Sequence, residues 1–158
     1  MISGTVRRRA TAALMGAAVL ALLTGCDLFA PQDTKDIQET SDGVSGAVGQ
    51  VFVGNAVLLT LQSGTPTNLV ASLVNNGDTT ENVDISTSAG KESVTLKPSE
   101  VVQIGSSDSG GGQTVQFEDL GAKPGSLADV TFDTGTETLT LQVPVLDGAL
   151  EQYKDLAP

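Results

Sequence analysis

The chain has 158 residues and a formal net charge of −11, from 19 acidic and 8 basic side chains, with no His, no Trp and one Cys. A chain this acidic lacks the basic surface from which nucleic-acid affinity derives. It has no imidazole for a catalytic triad, and its two Met residues (Met1, Met15) lie near its start, so we predict a non-enzymatic protein without cofactor or metal.

The beginning of the chain has the three-part build of an export signal. Three consecutive arginines at positions 7–9 precede an apolar stretch over residues 10–23. This stretch is shorter than the roughly 20 apolar residues that a membrane-spanning helix needs. We therefore predict that residues 1–25 are a cleavable signal peptide rather than a membrane anchor.

The end of this segment reads Leu23-Thr24-Gly25-Cys26, which resembles the lipobox of bacterial lipoproteins. The resemblance implies that signal peptidase II cuts before Cys26 and that the Cys26 thiol carries lipid, with fatty acids such as palmitate. A free buried thiol is the alternative, but Cys26 follows an export signal and has no second Cys to pair with. We expect a lipid anchor at Cys26 that holds the mature chain on the outer face of the bacterial cytoplasmic membrane, in the cell envelope.

Residues 26–46 are polar and acidic with little apolar spacing, which predicts a lipidated flexible tether. Roughly 20 flexible residues reach about 25 Å, enough to clear the lipid head groups. Removal of the signal takes all three Arg, so five Lys face 19 acids and the net charge of the mature chain becomes −14. The remaining divisions are a β-sandwich domain over 47–146 and a C-terminal tail over 147–158.

Short apolar runs of period two, separated by turn residues, fill the predicted domain and indicate antiparallel strands. Asn, Asp and Gly at 75–78 and 133–136 are typical of tight turns that need positive φ angles. Eight or nine strands rich in Val, Thr and Leu predict an all-β, Ig-like Greek-key sandwich. The predicted strands are 48–53, 56–61, 67–74, 83–87, 93–96, 101–104, 114–117, 127–132 and 138–143.

Alternation within these strands also predicts the core. Its side chains are mainly Val and Leu, which leaves few aromatic rings to stack on a sugar or a base. The predicted core residues are Val51, Val53, Leu69, Ala71, Leu73, Val83, Ile85, Val94, Leu96, Val115, Phe117, Val130, Phe132, Leu139, Leu141 and Val143.

Several segments, in order along the chain, resemble the periplasmic copper chaperone (PCuAC-like) family, whose members are Ig-like or cupredoxin-like sandwiches. They include an Asn-x-Gly-Asp turn after a strand and a strand that ends on a Pro-centred turn, and they cover 73–78, 94–98, 117–120, 123–125 and 139–145. That family binds Cu(I) through a His, a nearby Met and a later Met-x-Met pair. This chain has none of them after Met15, so the resemblance implies the fold and an actinobacterial-type envelope lipoprotein without the copper activity.

Two acidic pairs, Glu118 with Asp119 and Asp133 with Glu137, are candidate calcium or acid–base sites. Neither has the regular ligand spacing of a calcium loop, so we interpret both as solvated surface carboxylates. We favour a non-catalytic interaction module that binds an envelope protein or a cell-wall component. The alternatives are a small-ligand or lipid carrier, which a cavity of several hundred Å³ between the sheets would favour, and a diverged copper-chaperone relative without metal binding.

Overall fold

The computed structural model describes residues 41–62, 65–105 and 112–158. The predicted signal peptide (1–25), Cys26 and most of the predicted tether lie outside these ranges. Within them the chain forms strands and turns, and no helix there is long and apolar enough to cross a membrane. The strands are β1 (Val44–Val48), β2 (Val51–Leu59), β3 (Thr67–Asn75), β4 (Glu81–Thr87), β5 (Gly90–Leu96), β6 (Val101–Ile104), β7 (Val115–Phe117), β8 (Leu127–Asp133) and β9 (Thr138–Leu146).

The strands form two layers that share one hydrogen-bonded path, in the order β5-β4-β8-β9-β2-β3-β6. The first layer consists of β1, β2, β3, β6 and β7, and the second consists of β4, β5, β8 and β9. Strand β9 joins them, because it pairs antiparallel with β8 and then, at Val145 and Leu146, parallel with β2. After β7 the chain returns to place β8 beside β4, which is a Greek-key crossing. The predicted all-β sandwich is confirmed.

The core lies between the two layers. It consists of the inward-facing side chains, which are alternate residues along the strands. Every predicted core residue is buried except Leu139 and Leu141, which are half-buried and pack against the edge of the core. The sequence pattern missed several further buried residues. These are Val48, Ala56, Val57, Leu58, Leu59, Val102, Ile104, Val145 and Tyr153.

The first two strands differ from the predicted ones. The pattern predicts a break at residues 54–55, but the turn lies at Gly49 and Gln50, where Gly49 adopts a φ of 58° that favours glycine. Strand β2 continues through residues 54–55 as a β-bulge, with Asn55 at a φ of 50°. Because β1 begins at Val44, the sandwich starts inside the segment predicted as tether (26–46), and the boundary at residue 47 is too late.

The predicted C-terminal tail (147–158) packs on the outer face of the first layer. Tyr153 is 5% exposed and forms a second apolar cluster with Val57 and Leu59 of β2. The Asn68 side chain of β3 donates a hydrogen bond of 2.8 Å to the backbone oxygen of Leu156. The tail is therefore part of the folded domain.

Candidate functional site

Three turns meet at one end of the sandwich, which we call the distal end: β1–β2 (49–50), β3–β4 (76–80) and β5–β6 (97–100). The Asn76 backbone N–H donates to the Gln50 oxygen at 2.9 Å, and the Asn75 backbone N–H donates to the Glu100 oxygen at 2.9 Å. These bonds join the turns directly. Loops held this way by a rigid sandwich are the usual place for binding residues.

Asn75 organises the distal end from beneath. Its side chain is fully buried, and its Nδ2 donates to the backbone oxygens of Thr79 at 2.7 Å and Lys97 at 3.0 Å. Its Oδ1 accepts the Gly77 N–H at 2.9 Å. One side-chain amide thus forms hydrogen bonds with backbone groups of two turns. Its own polar atoms are paired, as is usual for a buried polar side chain. The side chain of Asn75 therefore holds the tight turn that the sequence predicts at 75–78.

The three turns enclose an open groove of about 590 Å³. Its lining is polar and carries one charged side chain, that of Asp78, together with the hydroxyl of Ser99. The lining residues are Gln50, Asn76, Gly77, Asp78, Pro98 and Ser99.

An apolar row runs across the outer face of the first layer, next to the distal end. Register places Phe52 of β2 beside Ala47 of β1 on one side and Val74 of β3 on the other, and Val74 beside Val101 of β6. Phe52 is 39% exposed and Val101 is 55% exposed. Outward positions of a solvated sheet face are normally polar, so four apolar residues in one row are a feature to explain.

The neighbouring row is polar but uncharged. Gly54 lies opposite Ser72, and Ser72 lies opposite Gln103, whose Oε1 accepts the Ser72 hydroxyl at 2.7 Å. The Phe52 ring lies over Gly54. A Cβ atom at position 54 would be 3.0 Å from the edge of this ring, so a larger residue would crowd it. We call these two rows the open half of the sheet face: Ala47, Phe52, Gly54, Ser72, Val74, Val101 and Gln103.

The rest of the same face, which we call the covered half, consists of Val57, Leu59, Asn68 and Val70 beneath the C-terminal tail. The tail also reaches the start of the domain, where Tyr153 Oη and Gln152 Nε2 donate to Asp42 Oδ2 at 3.2 and 3.1 Å. Burial raises the pKa of the Tyr153 phenol above its ordinary value of 10.0, and the charge and hydrogen bond of Asp42 raise it further. The point where the chain enters the sandwich is thus tied to its end.

Acidic groups flank the distal end. Asp78 lines the groove, and the Glu100 carboxylate accepts the Lys97 N–H at 2.6 Å next to the exposed Val101. Away from this end, on the second layer, Asp84 and Lys91 form an ion pair of 2.6 Å between β4 and β5. The hydrogen bond from Lys91 is the main cause that lowers the pKa of Asp84, and both side chains are exposed enough that the pair is a surface interaction.

A second groove of about 290 Å³ lies elsewhere on the surface. Neither groove is lined by the core residues between the layers, so neither is the internal cavity that would favour a carrier. The lining of the second groove includes the exposed Leu127. Its residues are Ser88, Leu120, Gly121, Ala122, Ser126, Leu127, Ala128 and Asp129.

The predicted lipobox residues Leu23, Thr24, Gly25 and Cys26 lie outside the described residues. Two of the four candidate calcium ligands hold turns: Asp119 Oδ1 accepts the Gly121 N–H, and Asp133 Oδ1 accepts the Gly135 N–H. In the part of the chain that the structure describes, no group of three or more Asp, Glu, His or Cys side chains could hold a metal ion.

Sequence reasoning missed the open half. The signal was present, because the apolar runs 51–53, 73–74 and 101–102 break strict alternation and must place one side chain outward. A scan against protein-family models finds no match for this chain, and a search of curated proteins finds no similar one. The resemblance to the copper chaperones remains a prediction.

Proposed function

We propose that this protein is a lipid-anchored lipoprotein of the bacterial cell envelope whose sandwich is a non-catalytic interaction module. The partner is an envelope protein or a cell-wall component, bound at the distal end and the open half. The observation that carries this proposal is the apolar row in which Phe52 and Val101 are exposed and Val74 is half-buried, beside a polar groove on a strongly acidic chain. Exposed apolar rows of this kind mark interaction surfaces.

The anchor rests on the lipobox residues Leu23, Thr24, Gly25 and Cys26 after an export-type segment. A thiol that carries two acyl chains holds a protein stably at a membrane. The chain enters the sandwich beside Asp42, and β1 then leads over roughly 14 Å toward the distal end. The proposed binding surface therefore lies away from the point where the tether attaches.

The anchor is tested by Cys26→Ser in the producing cell, with incorporation of a labelled fatty acid as the measurement. We expect labelling to be lost and the precursor to accumulate, because serine offers no thiol for diacylglyceryl transfer. Wild-type chain in the same cells is the control. Continued labelling of the variant would show that lipid is attached elsewhere or that the segment is not a lipobox.

The interaction module is tested by crosslinking in the intact envelope, followed by identification of what is captured. Capture should depend on the open half, so Val101→Thr should reduce it while Leu127→Thr, which alters an equally exposed apolar side chain on the second layer, should not. Recovery of lipid and bulk wall polymer alone, with neither variant having an effect, would remove the support for a specific partner.

Copper delivery is tested separately, by competition of the mature chain against a Cu(I) chelator under reducing conditions. Cu(I) prefers sulfur and imidazole donors, and after Cys26 the chain has no Met, His or further Cys. We expect no copper to be held against the chelator. Stoichiometric retention would reveal a site made of other ligands and would restore the copper-chaperone alternative.

A further inference from the structure

We infer that the open half binds an extended, basic segment of another protein, which adds as a strand beside β6 at Val101 and continues the row of Phe52, Val74 and Val101 with its own apolar side chains. This inference deepens the proposed function by naming the class of partner and the way it is held. It rests on three independent features of the described residues: an uncovered apolar row, an available strand edge and the sign of the surrounding charge.

The first feature is the contrast within one sheet face. In the covered half, Val57, Leu59 and Val70 are packed under the C-terminal tail, whereas in the open half Phe52 and Val101 remain exposed to solvent. Both sets are apolar residues at outward positions of the same layer, and β2 and β3 contribute to both halves. Covering the open half would remove apolar area from water, which favours association.

The second feature is the strand edge. Strand β6 ends the hydrogen-bonded path of the first layer, and among the described residues its ladder partner is β3, with one bridge from Ile104 to Gln113. Glu100 bonds to Asn75, so alternation turns the backbone groups of Val102 toward β3 and those of Val101 outward. Gln113 already donates to the Gln103 oxygen, so the edge is available at Val101. An added strand gains backbone hydrogen bonds there, and alternate side chains come to lie beside the apolar row. A glycan has no such backbone, which favours a polypeptide.

The third feature is charge. The described ranges contain 14 Asp and Glu side chains against four Lys, and none of the seven residues of the open half is charged. Asp78 and Glu100 flank the surface at its distal end. This field repels anionic wall polymers and anionic lipid head groups, and it attracts Lys and Arg side chains placed at either end of an apolar anchor.

The test is the binding of short synthetic peptides to the complete chain purified from its producing cell. The probe is an extended peptide with Val residues at its centre and Lys residues at both ends. Three matched peptides replace Lys by Glu, replace Val by Ser, or methylate the backbone nitrogens of one edge. We expect only the Lys–Val peptide to bind, and its affinity to fall as salt rises, because exposed charges are screened within about 10 Å at 0.1 M ionic strength.

The variants are Phe52→Thr and Val101→Thr, with Leu127→Thr as the matched control. We expect Val101→Thr to weaken binding about tenfold, as loss of an interface anchor commonly does, Phe52→Thr to weaken it less, and the control to leave it unchanged. The thermal midpoint is measured for each variant. If Phe52→Thr unfolds the chain, Val101→Thr at the exposed edge still tests the surface.

Equal binding of the Glu–Val peptide or of wall glycan fragments would overturn the inference, as would unchanged affinity in both open-half variants. Loss of binding in Leu127→Thr alone would move the site to the second groove and contradict it equally. Lipid on Cys26 is measured by mass in the same preparation, so failure of the anchor and failure of the peptide site are read separately.

Discussion

The outer face of the first layer has two halves that share strands, alternation and apolar character but differ in what covers them. In the covered half, Val57 and Leu59 pack under Tyr153 of the C-terminal tail, and Asn68 holds the tail by a hydrogen bond. In the open half, Phe52 and Val101 remain exposed. The difference teaches that outward apolar residues can serve the fold or a partner, and that only the rest of the chain decides which.

The largest expected effect is a loss of folding stability when a residue of the covered half is truncated. Leu59→Ala should lower the free energy of unfolding by about 3 kcal/mol, because it removes a fully buried side chain and leaves a cavity under the tail. Val101→Ala in the open half should change it by less than about 0.5 kcal/mol. Urea denaturation of the complete chain measures both. Equal losses would mean that the two halves do not differ in their role.

Asn75→Ala should follow in size, with a loss of about 2 kcal/mol. It leaves the Gly77 N–H and the backbone oxygens of Thr79 and Lys97 without their partner beneath the distal groove. Asn68→Ala, which loses a half-buried bond to the tail and an exposed bond from Gln116, is the comparison and should cost about 1 kcal/mol. The reverse order would show that the tail, and not the buried amide, is the stronger constraint.

The smallest effect concerns pH and the link from the tail to the start of the domain. The raised pKa of Tyr153 means that its contribution is complete below the unfolded value of about 10 and is lost as pH rises through the folded value. Tyr153→Phe should therefore lose less stability than wild type between neutral and strongly alkaline pH. Denaturation curves across that range measure the difference. Identical pH profiles would mean that the phenol does not sense Asp42.

The strands could be predicted because alternation follows directly from burial of one face, and most of the predicted core is buried. The start of the domain could not, because a glycine turn at Gly49 and a bulge at Gly54 and Asn55 interrupt a strand pattern in the same way. Only the register of β2 with β1 and β3 distinguishes the turn from the bulge. The position of the tail could not be predicted either, since Tyr153 finds its partners about 95 residues earlier in the chain.

The candidate functional residues also include a part that the sequence predicts and a part that only the structure shows. A lipobox is a local signal that can be predicted from four residues, so the proposed lipid site at Cys26 rests on sequence alone. The open half depends on side chains from β1, β2, β3 and β6 that only the sheet register brings into one row. The sequence pattern indicates that some apolar residues face outward. It does not show where the C-terminal tail packs, so it cannot distinguish the covered residues from the exposed ones.

The most direct test of the central claim places a photo-crosslinking side chain at position 52, or at position 127 as control, in the complete chain within living cells. The account predicts that position 52 captures a basic polypeptide, that Asp78→Lys weakens this capture, and that position 127 does not capture it. Capture of the same partner from both positions, or of no polypeptide from position 52, would contradict the claim that the open half is a docking surface.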